Sequence, residues 1–209
     1  MYFLNHSIEF PPVAQASEEG VLAIGGDLSV PRLLLAYKRG IFPWYNDEEP
    51  IIWWSPDPRF ILIPDELKVS KSMKQVLRNR GFEVTVNRNF RAVIEHCSKM
   101  KRDGQEGTWI TNEMISSYIK LHELGFAKSV EVWLGETLVG GLYGLDLNNG
   151  VFCGESMFSL VSNASKVALI TFIQNSNYEL FDCQVYTNHL ASLGAKDISR
   201  DLFLTYLDP

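Results

Sequence analysis

The chain has 209 residues, a mass of 23.7 kDa and the composition of a folded protein, 46% hydrophobic and 21% charged, which excludes an intrinsically disordered chain. Its net charge of −6 argues against indiscriminate binding of nucleic acid. The longest apolar run, residues 167–173, falls far short of the roughly 20 residues that span a bilayer, so no membrane segment is expected.

The N-terminus carries no basic region ahead of an apolar run, so no signal peptide is expected either. Residues 1–60 hold seven of the nine prolines and three of the five tryptophans, and they read as a small, loop-rich N-terminal domain. Its one clear helix spans 30–38. Gly25 to Ser29 makes a tight turn, Asp27 or Ser29 caps the first turn, Pro31 is tolerated there and Gly40 ends the helix. Pro56-Asp57-Pro58, just before Arg59, makes 54–59 a rigid turn.

Beyond residue 60, helical and alternating patterns take turns. Helices are expected over 70–80, stopped by Gly81, over 90–100, with Phe90, Val93, Ile94 and Cys97 on one face, and over 113–124, with Met114, Ile115, Tyr118 and Leu121 on one face. A polar loop, 101–107, separates the last two. Strands are expected over 82–86, over 129–134 and 137–145 as a hairpin across Gly135-Glu136, and over 151–153 after the turn 148–150. A helix over 163–174, a buried strand over 179–185 and a short helix over 188–193 complete the set, with no internal repeat. The order gives an α+β, or mixed α/β, domain over 61–209 built on one sheet.

Charge is unevenly spread. Residues 68–102 carry ten basic side chains against two acidic ones, Glu83 and Glu95, while the other 174 residues carry nine against 23. Such a stretch collects phosphates while the acidic remainder limits indiscriminate binding. The spacing of Lys71, Lys74, Arg78 and Arg80 also suits the solvated face of any helix. The three cysteines, Cys97, Cys153 and Cys183, form no CxxC pair and no even disulfide framework, which fits a reducing cytoplasm. His6, His96, His122 and His189 are scattered without ligand spacing, so no metal is expected.

The order of elements resembles the GNAT acyltransferase architecture, in which the acyl donor lies in a split between strands. Acetyl-CoA users of that fold place a glycine-rich pyrophosphate loop at a helix N-terminus. The corresponding loop here, 156–163, has no glycine and suggests a different donor. Nine segments then resemble, in order, the leucyl/phenylalanyl-tRNA–protein transferases. They are GGDLS (25–29), GIFPW (40–44), WWSPDPR (53–59), GTWIT (107–111), LHELG (121–125), VGGLYG (139–144), GESMFS (154–159), NASK (163–166) and DCQ (182–184). They cover nearly the whole chain. The resemblance implies a bacterial, cytoplasmic aminoacyltransferase that moves leucine, phenylalanine or sometimes methionine from aminoacyl-tRNA. The acceptor is a protein beginning with arginine or lysine, which the added residue marks for degradation.

The residues suit that reaction. An aminoacyl ester carries its own activation, so aminolysis needs neither ATP nor a metal nor a cofactor. The enzyme must exclude water, hold an apolar side chain, stack an adenine and steer an amine to the carbonyl. By resemblance, Tyr37, Trp44, Trp109 and Phe152 line the adenosine and acyl pocket, while Trp53 and Trp54 read as packing residues. Glu155, flanked by Phe152, Met157 and Phe158, needs a partner there. It is placed to receive either the attacking amine or the acceptor's basic side chain. Asp182 and Gln184 alternate on one strand and share a face. The family account puts this pair beside the amine, Gln184 to orient it and Asp182 to accept or relay its proton. The alternatives are proton transfer through the 2′-hydroxyl of the tRNA and, for Asp182, a structural bond to Arg200 or a helix terminus.

With tRNA as donor, Lys71, Lys74, Arg78 and Arg80 are expected to contact acceptor-stem phosphates without reading sequence. The chain has Thr187 where the family often has asparagine, and it ends at Pro209, earlier than some relatives. Cys153 and Cys183 read as small buried hydrophobes. A monomer is expected, since no heptad or long apolar edge strand appears. Three rivals stand beside this reading. A Fem-type peptidoglycan aminoacyltransferase would be far longer, an N-acetyltransferase lacks its glycine loop here, and a non-catalytic tRNA binder has no use for Glu155, Asp182 and Gln184 in an apolar pocket.

Overall fold

The computed structural model describes residues 2–79, 81–100 and 108–207; Arg80 and the expected polar loop 101–107 lie outside the described residues. Short extended segments near the N-terminus pair with one another. β1 (Tyr2–Leu4), β2 (Val21–Gly25), β3 (Phe42–Pro43) and β4 (Ile52–Trp54) form a four-stranded sheet in the order β1-β2-β4-β3. None of these four strands is among the elements expected of the loop-rich N-terminal unit. No strand of this sheet exceeds five residues, too few for an alternating pattern to register. The helix is where the pattern puts it, α1 (Val30–Lys38), with Ser29 at the N-cap and the Asp27 carboxylate accepting the Ser29 N–H at 2.8 Å.

The remaining strands build a seven-stranded sheet in the order β11-β5-β10-β9-β8-β7-β6. They are β5 (Arg59–Leu62), β6 (Glu83–Val86), β7 (Ala127–Leu134), β8 (Thr137–Asp146), β9 (Val151–Ser159), β10 (Leu180–Gln184) and β11 (Lys196–Ile198). Neighbours are antiparallel except β9 and β10, which run parallel. A parallel pair needs a crossover, and α5 (Ala164–Gln174) supplies it.

Helices cover both faces of this sheet. On one face α1, α3 (Phe90–Lys99), α4 (Asn112–Glu123) and the small sheet share a core that includes Leu33, Trp53, Val93, Tyr118 and Phe158. On the other, α2 (Lys71–Asn79) and α5 close over Val130, Leu142, Phe152 and Phe181. The short α6 (Asn188–Ala191) follows β10. The last helix, α7 (Arg200–Leu207), has no counterpart among the expected elements. Its first N–H is capped by the Asp57 carboxylate at 3.0 Å, and the Arg200 guanidinium donates to the Ser55 carbonyl at 2.7 Å. The rigid turn at 54–59 thus starts a helix more than a hundred residues away.

β9 runs six residues beyond the expected 151–153 because a bulge hides its continuation. Tyr143 pairs with Ser156 and Gly144 with Gly154, which leaves Glu155 as the extra residue. Cys153 and Phe158 accordingly belong to the same core, although strict alternation puts residues five apart on opposite faces.

Gly144 marks how tightly the bulge is packed. A Cβ there would lie 2.3 Å from the Cys153 carbonyl oxygen and 2.6 Å from the Phe152 ring, whereas one at Gly125 would meet nothing. Gly144→Ala is expected to destabilise the fold by about 3 kcal/mol, a fall of roughly 6–12 °C in Tm at this length. Gly125→Ala, which carries only the strain of a positive φ, should cost about 1 kcal/mol. Chemical denaturation of the two variants checks the difference.

Candidate active site

The parallel pair β9 and β10 separates where the site forms. Their last register pair is Asp182 opposite Cys153, after which β9 continues to Ser159 and β10 ends at Gln184. The gap opens into a cavity of about 500 Å³ lined from both faces of the sheet. Trp44, Trp109 and Phe158 wall one side; Leu142, Phe152, Leu169 and Phe181 wall the other, with Met157 beside them. Trp54 holds Trp44 in place, its indole N–H donating to the Trp44 carbonyl at 2.7 Å and its ring 5.5 Å from the Trp44 ring. Trp53 is buried in the core, and its N–H donates to the Gly25 carbonyl at 2.9 Å.

Glu155, Gln184 and Asp182 come together at the head of the gap. The bulge turns the Glu155 side chain toward α1 and α4, where it meets three hydrogen-bond donors. Tyr118 Oη donates at 3.0 Å, Gln184 Nε2 donates at 2.8 Å, and the Tyr37 hydroxyl bonds to the same carboxyl. Tyr37 and Tyr118 also bond to each other. Burial pushes the Glu155 carboxyl up to about 8, with the nearby Asp182 charge adding to it and the bonds from Tyr37, Tyr118 and Gln184 opposing it. Burial and the Glu155 charge likewise raise both tyrosine hydroxyls.

Asp182 is placed differently from the expectation. Its carboxylate lies in a buried fork, Arg59 Nε to Oδ1 at 2.8 Å and Arg59 Nη2 to Oδ2 at 2.7 Å. Oδ1 also accepts the Gln184 backbone N–H at 3.0 Å. Both oxygens are therefore bonded within the protein, a structural engagement that the expected role of proton acceptor does not include. The structural alternative named the wrong partner, for Arg200 bonds Ser55 instead. Tyr37 is corrected too: it stands behind Glu155, almost fully buried, and does not line the cavity.

Trp44, Trp109 and Phe152 do line it. Lys71, Lys74 and Arg78 are exposed along α2, opposite Met73, Val76 and Leu77, and Arg80 lies outside the described residues. The segment leading into α2 adjoins the cavity rim, because Lys68 N–H donates to the Leu193 carbonyl just after α6, whose His189 and Leu190 line the cavity. Burial raises the thiols of Cys153 and Cys183, so neither is an activated nucleophile. Among the described residues no three His, Cys, Asp or Glu side chains gather as metal ligands, and no helix is long and apolar enough to cross a membrane. Sequence reasoning missed Arg59 and Tyr118. A signal existed for Arg59, a charge opening the apolar run Phe60-Ile61-Leu62, since a buried charge requires a partner. None existed for Tyr118, which fits the apolar face of its helix.

Comparison with known proteins follows the geometry. Residues 61–208 match the family model described as leucyl/phenylalanyl-tRNA protein transferase, and residues 26–57 match that of its N-terminal domain. The chain is 60% identical over 210 residues to the leucyl/phenylalanyl-tRNA–protein transferase of Flavobacterium johnsoniae, covering 99% of each. It is 57% identical over 210 residues to that of Flavobacterium psychrophilum, again covering 99% of each. Against that of Syntrophus aciditrophicus it is 58% identical over 203 residues, or 96% of this chain and 84% of the relative. A solved GCN5-related N-acetyltransferase from Kribbella flavida aligns with TM-score 0.38 and 11% identity, over 78% of this chain and 58% of its own.

The raised Glu155 carboxyl has a consequence for stability. A carboxyl that titrates at about 8 when folded and near its ordinary value of 4.5 when unfolded holds its proton more tightly in the native state. Its contribution is full below the lower value and is lost as pH rises toward about 8. The Tm of the wild-type protein minus that of Glu155→Gln should therefore fall between about pH 5 and about pH 8.5. A change of at least 2–4 °C, what about 1 kcal/mol gives at this size, is expected in thermal scans.

Proposed function

Because the chain belongs to the leucyl/phenylalanyl-tRNA–protein transferase family, aminoacyltransferases that use aminoacyl-tRNA as donor and a protein as acceptor, we propose that Glu155 selects acceptors whose first residue is arginine or lysine. One observation carries this reading. Asp182 and Glu155 are the two carboxyl groups among the described residues lining the cavity, and Arg59 already occupies Asp182. A half-buried carboxyl at the end of an apolar cavity is left to meet a cation. A guanidinium or ammonium beside it favours the charged form and draws the carboxyl back down. A neutral first residue brings no such compensation.

The donor fits the rest of the cavity. The terminal adenine stacks on Trp44 and Trp109, worth roughly 1–3 kcal/mol per base, and the acyl side chain enters the pocket of Leu142, Phe152, Met157, Leu169 and Phe181. Shape alone separates the donors, and because one methylene is worth only about 1–3 kcal/mol, methionine leaks through. Gln184 commits its Nε2 to Glu155 and keeps Oε1 as an acceptor. That oxygen holds one hydrogen of the neutral α-amine, so that the nitrogen lone pair faces the ester carbonyl. The nitrogen–carbon bond forms, the ester carbon–oxygen bond breaks, and the amine proton passes to the leaving ribose oxygen by way of the neighbouring hydroxyl. No protein carboxylate needs to act as base. Lys71, Lys74 and Arg78, exposed on α2, hold the acceptor-stem phosphates. The reading carries with it a monomer in the cytoplasm whose product is a degradation signal.

Transfer of radiolabelled leucine from charged tRNA to peptides beginning with Arg, Lys or Glu tests the proposal. Transfer to the first two alone is expected, without ATP or added metal. Glu155→Gln should raise the KM for the Arg peptide about 10- to 100-fold, as expected for losing a hydrogen bond to a charged group, with kcat much less affected. Lys74→Glu should raise the KM for tRNA instead. A Glu155→Gln enzyme with wild-type KM for the Arg peptide would remove Glu155 as the selecting group.

A further inference from the structure

Gln184 sits in a conformation that its own sequence does not favour. Its φ is 63°, and the Val185 N–H donates to the Cys183 carbonyl at 2.8 Å, which makes Gln184 the centre of a three-residue γ-turn with positive φ. That turn is rare and strained for a residue with a side chain, and it persists where surrounding contacts over-determine it. Here two bonds hold Gln184. Its backbone N–H donates to Asp182 Oδ1 at 3.0 Å, and its Nε2 donates to Glu155 Oε1 at 2.8 Å.

Asp182 is in turn held by one residue. Arg59 donates two parallel bonds to it, at 2.8 and 2.7 Å. A third nitrogen, Nη1, donates to the Gly40 carbonyl at 3.3 Å, beyond the end of α1. The guanidinium lies over the ring of Phe42 on β3, 4.8 Å from its centre, and over that of Phe203 on α7, at 4.6 Å. Arg59 itself is buried and does not line the cavity. It is thus fixed from the small sheet, the end of α1 and the last helix, and passes that placement to β10.

We infer that Arg59 is a positioning residue for aminoacyl transfer, acting through Asp182 to hold the γ-turn that aims the Gln184 amide. The inference rests on the role proposed above for Gln184. It gives Asp182 a task for which a carboxylate is suited: one oxygen accepts from Arg59 and from the backbone of the turn, and the other completes the fork. It also gives the small sheet and α7 a part in the reaction without contact to either substrate.

Arg59→Lys tests it, because lysine keeps the charge but cannot span both carboxylate oxygens or lie flat between two rings. The variant, confirmed folded by circular dichroism and thermal scan, should lose kcat on the order of 10- to 100-fold. The KM for charged tRNA and for the Arg peptide should stay within about twofold, since neither the cavity walls nor Glu155 is altered. A folded Arg59→Lys enzyme with wild-type kcat, or with its loss in KM, would overturn the inference. Should Arg59→Lys fail to fold, Phe203→Leu removes one stacked ring far from the cavity. It is expected to lower kcat about 3- to 10-fold at unchanged KM, and wild-type kcat there would count equally against Arg59. Gln184→Ala separates the two levels. Wild-type kcat in that variant would withdraw the role of Gln184, whereas a loss there with none in Arg59→Lys would sink the Arg59 inference alone.

Discussion

Two charges, one on Arg59 and one on Asp182, are taken out of water and joined at 2.7 Å in the middle of the molecule. Desolvation offsets much of what such a pair gains, so its net contribution to stability is modest, while loss of one partner costs about 3–5 kcal/mol. What the pair supplies is placement. Arg59 opens β5, Asp182 lies near the end of β10, and these neighbours bring together the small sheet through Phe42, the end of α1 through Gly40, and α7 through Phe203. The separation of β9 from β10 begins one step past this pair. The turn at Gln184 is tied to that carboxylate through its backbone N–H.

The cavity that results is chemically simple. Its walls are apolar on both faces of the sheet, and its polar groups are concentrated where the strands part. An ester that carries its own activation asks for little more than exclusion of water, orientation of an amine and discrimination among side chains. In the function proposed above, the Glu155 carboxyl serves the last of these. Two buried tyrosine hydroxyls and an amide surround it, yet its burial outweighs them and pushes the carboxyl up to about 8. The basic row on α2 stands apart from this chemistry, exposed on the helix and outside the cavity lining.

Local signals were legible wherever they extended over a full pattern. The helices at 30–38, 90–99 and 112–123 and the hairpin across Gly135-Glu136 lie within a residue or two of where periodicity and glycine place them. What escaped were features set by distant partners. The strands of the small sheet have two to five residues and acquire their identity only by pairing. α7 begins on a carboxylate from the 54–59 turn. Only three residues of β9 are legible in the pattern, because its bulge reverses the alternation after Glu155. At the site, the residue types pointed to Glu155, Asp182 and Gln184, but not to their division of labour. Gln184 and Asp182 share a face as expected; that Asp182 is spent on Arg59 depends on a contact across 123 positions of sequence.

The account turns on Glu155 being a carboxyl that loses its proton to solvent when a cationic acceptor peptide binds beside it. The most direct test is a titration of that one group, by isotope-edited infrared or carbon NMR with a Glu155→Gln control to assign the signal. It is run on the protein alone and then with a saturating peptide that begins with arginine. The account predicts titration at about 8 in the unliganded protein and a clear fall when the peptide binds. Titration near the ordinary carboxyl value of 4.5 in both states, or no change on adding the peptide, would contradict it.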